Sequence, residues 1–170
     1  NKFQSNTISG NGDIIVVEAD EFDRSFLTLQ PTMGLITNLD LEHLDCYENL
    51  KDLQNAFTQF ANAIPFYGKV GVCIDHSNSA TIIPHIKRPV VTFGINEKAD
   101  IRGTNLHYNQ NHAIFDVIAN NKHLGEFNIH VPGEHNVKNA LASITLALEL
   151  DIPIEKIRTG LDQYNGVRRR

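Results

Sequence analysis

Apolar and polar positions in the first hundred residues alternate between short β-branched runs and longer helical stripes. Ile14-Ile-Val-Val17 is a compact apolar run and reads as a short, buried strand of a parallel sheet. Met33-Gly-Leu-Ile-Thr37 repeats the pattern. Between Tyr47 and Ile64, apolar residues at Leu50, Leu53, Ala56, Phe57, Phe60, Ala61 and Ile64 form a helical stripe, and Pro65 stops it. Val70–Ile74 is a strand, Asp75-His-Ser-Asn-Ser79 caps a short helix through Ile83, and Val90–Phe93 is a strand ending at Gly94. The order β-β-α-β-α-β predicts an α/β fold, with a mainly parallel sheet flanked by helices.

The rhythm then changes. Ile101–Tyr108, His112–Ile118 and Leu124–Val131 are strand-like runs separated by the turn-forming Asn109-Gln-Asn111 and Asn120-Asn-Lys122. They predict a small antiparallel sheet at about residues 101–131. Gly133 opens a nearly all-apolar helix that runs from Val137, and Asp151-Ile-Pro153 starts a last helix. That helix turns Ile154, Ile157 and Leu161 inward and ends at Tyr164. Residues 1–170 suit one domain.

Composition narrows the class. With 41% hydrophobic and 21% charged residues, the chain has enough apolar material for a core. A net charge of -5 argues against a nucleic-acid surface and leaves room for an anionic small ligand. Cys46 and Cys73 are far apart and form no metal motif, so they read as free thiols of a reducing compartment. No apolar run approaches the ~20 residues that span a bilayer. No secretory signal precedes residue 13, and the expected location is cytoplasmic. The abrupt Asn1-Lys-Phe start and the Arg168-Arg-Arg170 stop suggest a piece of a longer protein.

Candidate chemistry sits at the ends of elements. Glu18, Asp20 and Glu21 follow the first apolar run at once, where open α/β sheets place their ligands. Carboxylates there suit a hard cation such as Mg²⁺, although a solvated acidic turn is an equally simple reading. His43, flanked by Glu42 and Asp45, follows the second run, so Glu18 and His43 are expected to face one crevice. At the start of the late apolar helix stand His135, Asn136 and Asn139. Asn136 and Asn139 are three apart and share a helix face. Their amides match the donor–acceptor edge of a purine, while the alternative is simple helix capping. His107, His112, His123 and His130 are scattered by strand alternation and read as surface or boundary residues rather than a metal site.

Four motifs in order carry a resemblance. They are Glu18-Ala-Asp-Glu21, then Thr37-Asn38 leading to Glu42-His43-Leu-Asp45, then Pro132-Gly133-x-His135-Asn136-x-x-Asn139-Ala, and Gly166-Val-Arg-Arg-Arg170. Together they resemble the central, ATP-binding domain of the Mur ligases, a P-loop NTPase-like fold, and the likeness covers essentially the whole chain. Glu18-Ala-Asp-Glu-x-Asp23-x-Ser25-Phe-Leu-x-Leu-Gln30-Pro31 and Pro65-Phe-Tyr-Gly68 resemble the branch that adds L-alanine to UDP-N-acetylmuramate in bacterial peptidoglycan synthesis.

The resemblance implies roles. Glu18 and His43 match magnesium ligands, with the family's separation of 25 residues. Asn136 and Asn139, with His135 nearby, match adenine contacts. Arg170, with Arg169 as the alternative, matches a residue reaching the nucleotide, and Asn38 matches a position near the UDP-sugar. ATP and Mg²⁺ are the implied cofactors, and amide formation through an acyl phosphate is the implied reaction. Two departures stand out. The family's Gly-rich phosphate loop with its Lys and Thr does not occur in this sequence, nor does the strand before it. The carbamoylated lysine of several relatives falls near Phe57, as expected for the alanine-adding branch, which leaves a second metal without that ligand. A chain of this kind is expected to be inactive alone, to bind ATP weakly and to self-associate through an uncovered sheet edge. A tripeptide-recycling ligase, a folylpolyglutamate-like synthase and a non-enzymatic nucleotide-binding module are the alternatives; no nucleic-acid or membrane partner is expected.

Overall fold

The computed structural model describes residues 10–40 and 46–166. Among these residues, six strands form one sheet in the order β1 (Met33–Ile36), β2 (Lys69–Cys73), β3 (Val90–Gly94), β4 (Ile101–Tyr108), β5 (Ala113–Ala119) and β6 (Lys122–Ile129). The pairs from β1 to β4 are parallel, and β4–β5–β6 is an antiparallel meander. The meander continues the parallel part through Phe93–Ile101 and Gly94–Arg102 pairing rather than standing as a sheet of its own.

The short β3–β4 connection is held by two carboxylates. Asp100 accepts the Thr92 N–H at 2.9 Å and its hydroxyl at 2.7 Å. Asp75, at the end of β2, accepts the N–H groups of Ile95 (2.9 Å) and Asn96 (2.8 Å). A Cβ on Gly94, whose φ is +149°, would stand 2.5 Å from the Asp75 carboxylate, so glycine is required by both space and backbone.

Each face of the parallel part is covered by a different layer. The helix α1 (Leu50–Ala63) begins at Asn49, whose side chain accepts the Asp52 N–H at 3.0 Å. Its stripe of Leu53, Ala56, Phe60 and Ala61 packs with Ile36, Val70 and Val72. The short α2 (Ser77–Ile82) adds Ile82 to the same core. On the other face, α3 (Glu134–Glu149) buries Val137, Leu141 and Ile144 against Cys73, Phe93, Phe115 and Val117. The last helix, α4 (Ile154–Asp162), lies against β6. Phe57 is half-buried beside Phe26 at a centroid distance of 5.2 Å, an apolar contact at the position that the resemblance gives to a lysine in several relatives.

One expected strand is absent. Ile14–Val17 forms no strand, and its side chains are 58, 88, 77 and 61% exposed. The run has the right composition, but no described strand pairs with it, and β1 is the edge of the described sheet. A strand without a ladder partner leaves its amides to water, so apolar content alone does not make one. Downstream, a 3-10 helix over Phe22–Thr28 that the hydrophobic pattern did not announce closes the turn. Its Asp23 and Arg24 adopt positive φ (57° and 62°). Arg24 holds that turn on α1: it pairs with Asp52, donates to the Cys46 carbonyl at 3.1 Å and lies 4.8 Å above the Tyr47 ring. Tyr47 in turn donates its hydroxyl to the Glu21 carbonyl at 2.6 Å.

Candidate functional site

A cavity is built where α3 starts, beside α4 and the end of β6. Gly133 precedes α3 with φ +101°, a conformation open to glycine, and the helix then runs with its apolar side on the sheet. Helical spacing places Asn136, Asn139, Ala140 and Ser143 together on the side facing α4. With Ile129, Gly160, Leu161 and Tyr164 they line a cavity of about 320 Å³. Small-molecule pockets begin at about 300 Å³ and combine apolar walls with a few polar groups.

The two asparagines do different work at this wall. Asn136 donates its amide N–H to the Pro132 carbonyl at 2.6 Å, which fixes the side chain and leaves its oxygen for a ligand. Asn139 is exposed, and its amide makes no hydrogen bond among the described residues. Neither caps α3, because the residue before the helix is Gly133. His135 does not line the cavity; its ring lies back against Gly133, about 3.0 Å from where a Cβ there would stand.

Next to this wall is a charged cluster. Lys138 bonds Glu134 at 2.8 Å and stands 3.9 Å from Asp75, whose side chain is nearly buried. Burial by itself pushes the Lys138 ammonium down, but the Glu134 hydrogen bond and the negative charges of Glu134 and Asp75 outweigh it, and the net shift is upward. Cys73 lies beneath, with its thiol pushed up by burial.

The acidic half of the expected site is less complete. Glu18 is exposed in the stretch that follows the unpaired Ile14–Val17 run. Glu42, His43 and Asp45 lie outside the described residues, as do Arg169 and Arg170. Asn38 is exposed; its oxygen accepts the Leu39 N–H at 2.7 Å and its amide pairs with Asp40. Among the described residues, no three His, Cys, Asp or Glu side chains gather as metal ligands. His107, His123 and His130 are exposed and His112 half-buried, as strand alternation predicts.

Sequence reasoning singled out Asn136 and Asn139 but missed Ser143, Gly160, Leu161 and Tyr164 as parts of one cavity. The polar spacing 136–139–143 on an otherwise apolar helix carried a signal for Ser143. The α4 contribution depends on tertiary packing and left none.

Residues 2–147 match the family model of the Mur ligase middle domain. The chain belongs to the Mur ligase family, and the six-stranded sheet flanked by helices is that of its central domain. Over 168 residues it is 45% identical to UDP-N-acetylmuramate–L-alanine ligase of Salinibacter ruber, covering 99% of this chain and 35% of that protein. The ligase of the same name from Persephonella marina is also 45% identical, with 99% and 36% covered. Among solved structures, UDP-N-acetylmuramate-alanine ligase MurC from Thermotoga maritima superposes with a TM-score of 0.75 at 27% identity, over 89% of this chain and 33% of that one. MurF from Acinetobacter baumannii gives 0.75 at 26%, over 87% and 32%. The chain thus spans about a third of the length of the curated relatives it matches. No described helix is long and apolar enough to cross a membrane.

Proposed function

We propose that this chain is the nucleotide-binding domain of a ligase that joins L-alanine to UDP-N-acetylmuramate at the expense of ATP. The observation that carries the nucleotide reading is the α3–α4 cavity, with the Asn136 oxygen and the whole Asn139 amide available at its wall. Adenine presents a donor beside an acceptor, and a carboxamide answers both at once. The names of the relatives favour L-alanine over other amine substrates. In such a ligase the substrate carboxylate attacks the γ-phosphate of ATP, and the amine then displaces phosphate from the acyl phosphate. The protein's part is positioning and neutralisation of charge.

Glu18 and His43 are the proposed Mg²⁺ ligands, and Asn38 the proposed neighbour of the UDP-sugar. The Glu18 carboxylate is a hard oxygen donor with no ion-pair partner among the described residues, which suits Mg²⁺. Bound there, the ion would act as a Lewis acid toward the phosphate oxygens. Arg170, or Arg169, is the proposed contact to the nucleotide from beyond α4, with His135 as a neighbour of the base.

Phosphate release by the full-length ligase, with UDP-N-acetylmuramate and either L-alanine or a tripeptide, tests the substrate. Release with L-alanine alone is expected, and release only with the tripeptide would move the protein to the recycling branch. Asn139→Leu is expected to raise the KM for ATP and blunt the preference over GTP, since a base-edge amide contributes about 1–3 kcal/mol of discrimination. An unchanged preference would remove the adenine role from Asn139.

A further inference from the structure

One side of the cavity wall comes from α4 and the turn just after it, to which the nucleotide reading assigns no contact. Gly160 in α4 and Tyr164, two residues past its end, line the cavity with Leu161, opposite Asn136, Asn139 and Ser143. A Cβ built on Gly160 meets nothing within 4 Å, so the glycine is not there to let two chain segments touch. Mid-helix glycine is otherwise unfavourable, and here its one spatial consequence is open volume in the cavity. Tyr164 is exposed, and its hydroxyl makes no hydrogen bond among the described residues.

This wall is fixed before any ligand arrives. Arg158 donates to the Glu126 carbonyl at 2.8 Å and the Leu124 carbonyl at 3.0 Å, and its guanidinium lies 4.9 Å over the Phe127 ring. Asp162 accepts from Asn128 at 2.9 Å and lies 3.2 Å from His130 Nε2. Both ties run from α4 to β6, on either side of Gly160. A pre-set wall lowers the ordering cost of binding.

Resting on the nucleotide reading, we propose that α4 and the turn that follows it form the second wall of the base site. Tyr164 is the surface on which the base stacks, and Gly160 is the gap that the base edge fills. The asparagines of α3 then read the base edge while α4 holds its face. Contacts of that kind act equally in ground and transition states, so their loss raises KM and spares kcat.

The test compares four variants of the full-length ligase by steady-state kinetics in ATP, with melting temperature measured for each. Gly160→Leu fills the gap, Tyr164→Ala removes the stacking face, Tyr164→Phe keeps it, and Asn139→Leu probes the base edge alone. Gly160→Leu and Tyr164→Ala are expected to raise the KM for ATP about tenfold, within the range for losing base–aromatic stacking, with kcat near wild type. Tyr164→Phe should stay within about twofold of wild type. If Asn139→Leu raises KM while the α4 variants leave it unchanged, the α4 wall is overturned and the nucleotide reading stands. If none of the variants moves it, both fall. If the α4 variants act and Asn139→Leu does not, the wall holds and the amide role fails. Should Gly160→Leu lower the melting temperature, Gly160→Ala, which fits the helix and projects into the same space, replaces it; an unchanged KM in both Gly160→Ala and Tyr164→Ala overturns the proposal.

Discussion

Ile14–Val17 and Val70–Cys73 are both short runs without a charged or polar side chain, and they are opposites in fate. The first run is more than half exposed at each residue, while Val70, Val72 and Cys73 are wholly buried. Full burial of a valine or isoleucine side chain contributes about 1.5–3 kcal/mol, so the exposed run forgoes several kcal/mol that β2 collects. Residue type would favour the first run, which is wholly β-branched while the second contains Gly71 and Cys73. What separates them is neighbours: β2 has β1 and β3 on its edges, α1 on one face and α3 on the other. A buried parallel strand is a property of the layers around it, and the first run has none among the described residues.

The contrast breaks most sharply under a buried charge. Val72→Asp puts a carboxylate between β2 and α1, where burial without a partner belongs to the exceptional losses of more than about 4 kcal/mol. Val16→Asp, in the exposed run, is expected within about 0.5 kcal/mol of wild type. Urea titration of the two variants measures both. Comparable losses would mean that residues 14–17 are packed in solution, and the contrast would vanish.

The second way to change the contrast is to supply neighbours. We expect a ligase of the full length of the relatives to protect the 14–17 amides from hydrogen exchange and to bind Mg·ATP. The 170-residue chain should bind it weakly or not at all, because it has no Gly-rich loop to cradle the phosphates. The exposed run and the open edge of β1 should also make the shorter chain self-associate, and Val16→Asp should weaken that association. Calorimetry and sedimentation across a concentration series are the measurements. Tight ATP binding by the shorter chain, or monomers at all concentrations, would remove the link between this stretch and the phosphate site.

The same distinction explains what could be read in advance. The stripe of α1, the strands β2 and β3, the meander and the helix after Gly133 were legible because each shows a period or a turn signal of its own. Strand 14–17 was misread because its period was right and its partners were not part of the pattern. The Arg24 clamp was invisible for a related reason: Arg24, Cys46 and Asp52 are joined only by the fold. In the site, Asn136 and Asn139 were legible from helical spacing, whereas Gly160 comes from another helix and Tyr164 from just beyond its end.

Catalysis sharpens the comparison on the exposed side. Glu18 lies just beyond the poorly covered run, so Glu18→Ala in the full-length ligase should lower turnover at least a hundredfold and barely shift the melting temperature. A residue that served only to finish a strand would lose stability and activity together, and that outcome would count against the proposed Mg²⁺ role of Glu18.

The smallest effect concerns the contact that ties the exposed region to the buried one. The hydrogen bond from Arg24, together with the Glu48 N–H and the guanidinium charge, outweighs partial burial and holds the Asp52 carboxyl below its ordinary pKa of 3.8. A carboxylate whose pKa is lower in the folded than in the unfolded chain adds stability that is fully present above the unfolded value. That contribution is lost as pH falls through the folded one. At pH 7 the wild type should therefore be slightly more stable than Asp52→Asn, and the gap should shrink steadily below about pH 4. Because the pair is partly exposed, salt should narrow the gap as well. Urea midpoints for the two proteins at pH 7, 5 and 3 give the curve. A gap that stays constant with pH would mean that Asp52 serves α1 through its shape and backbone contacts, and that the Arg24 charge contributes nothing to holding the 22–28 turn.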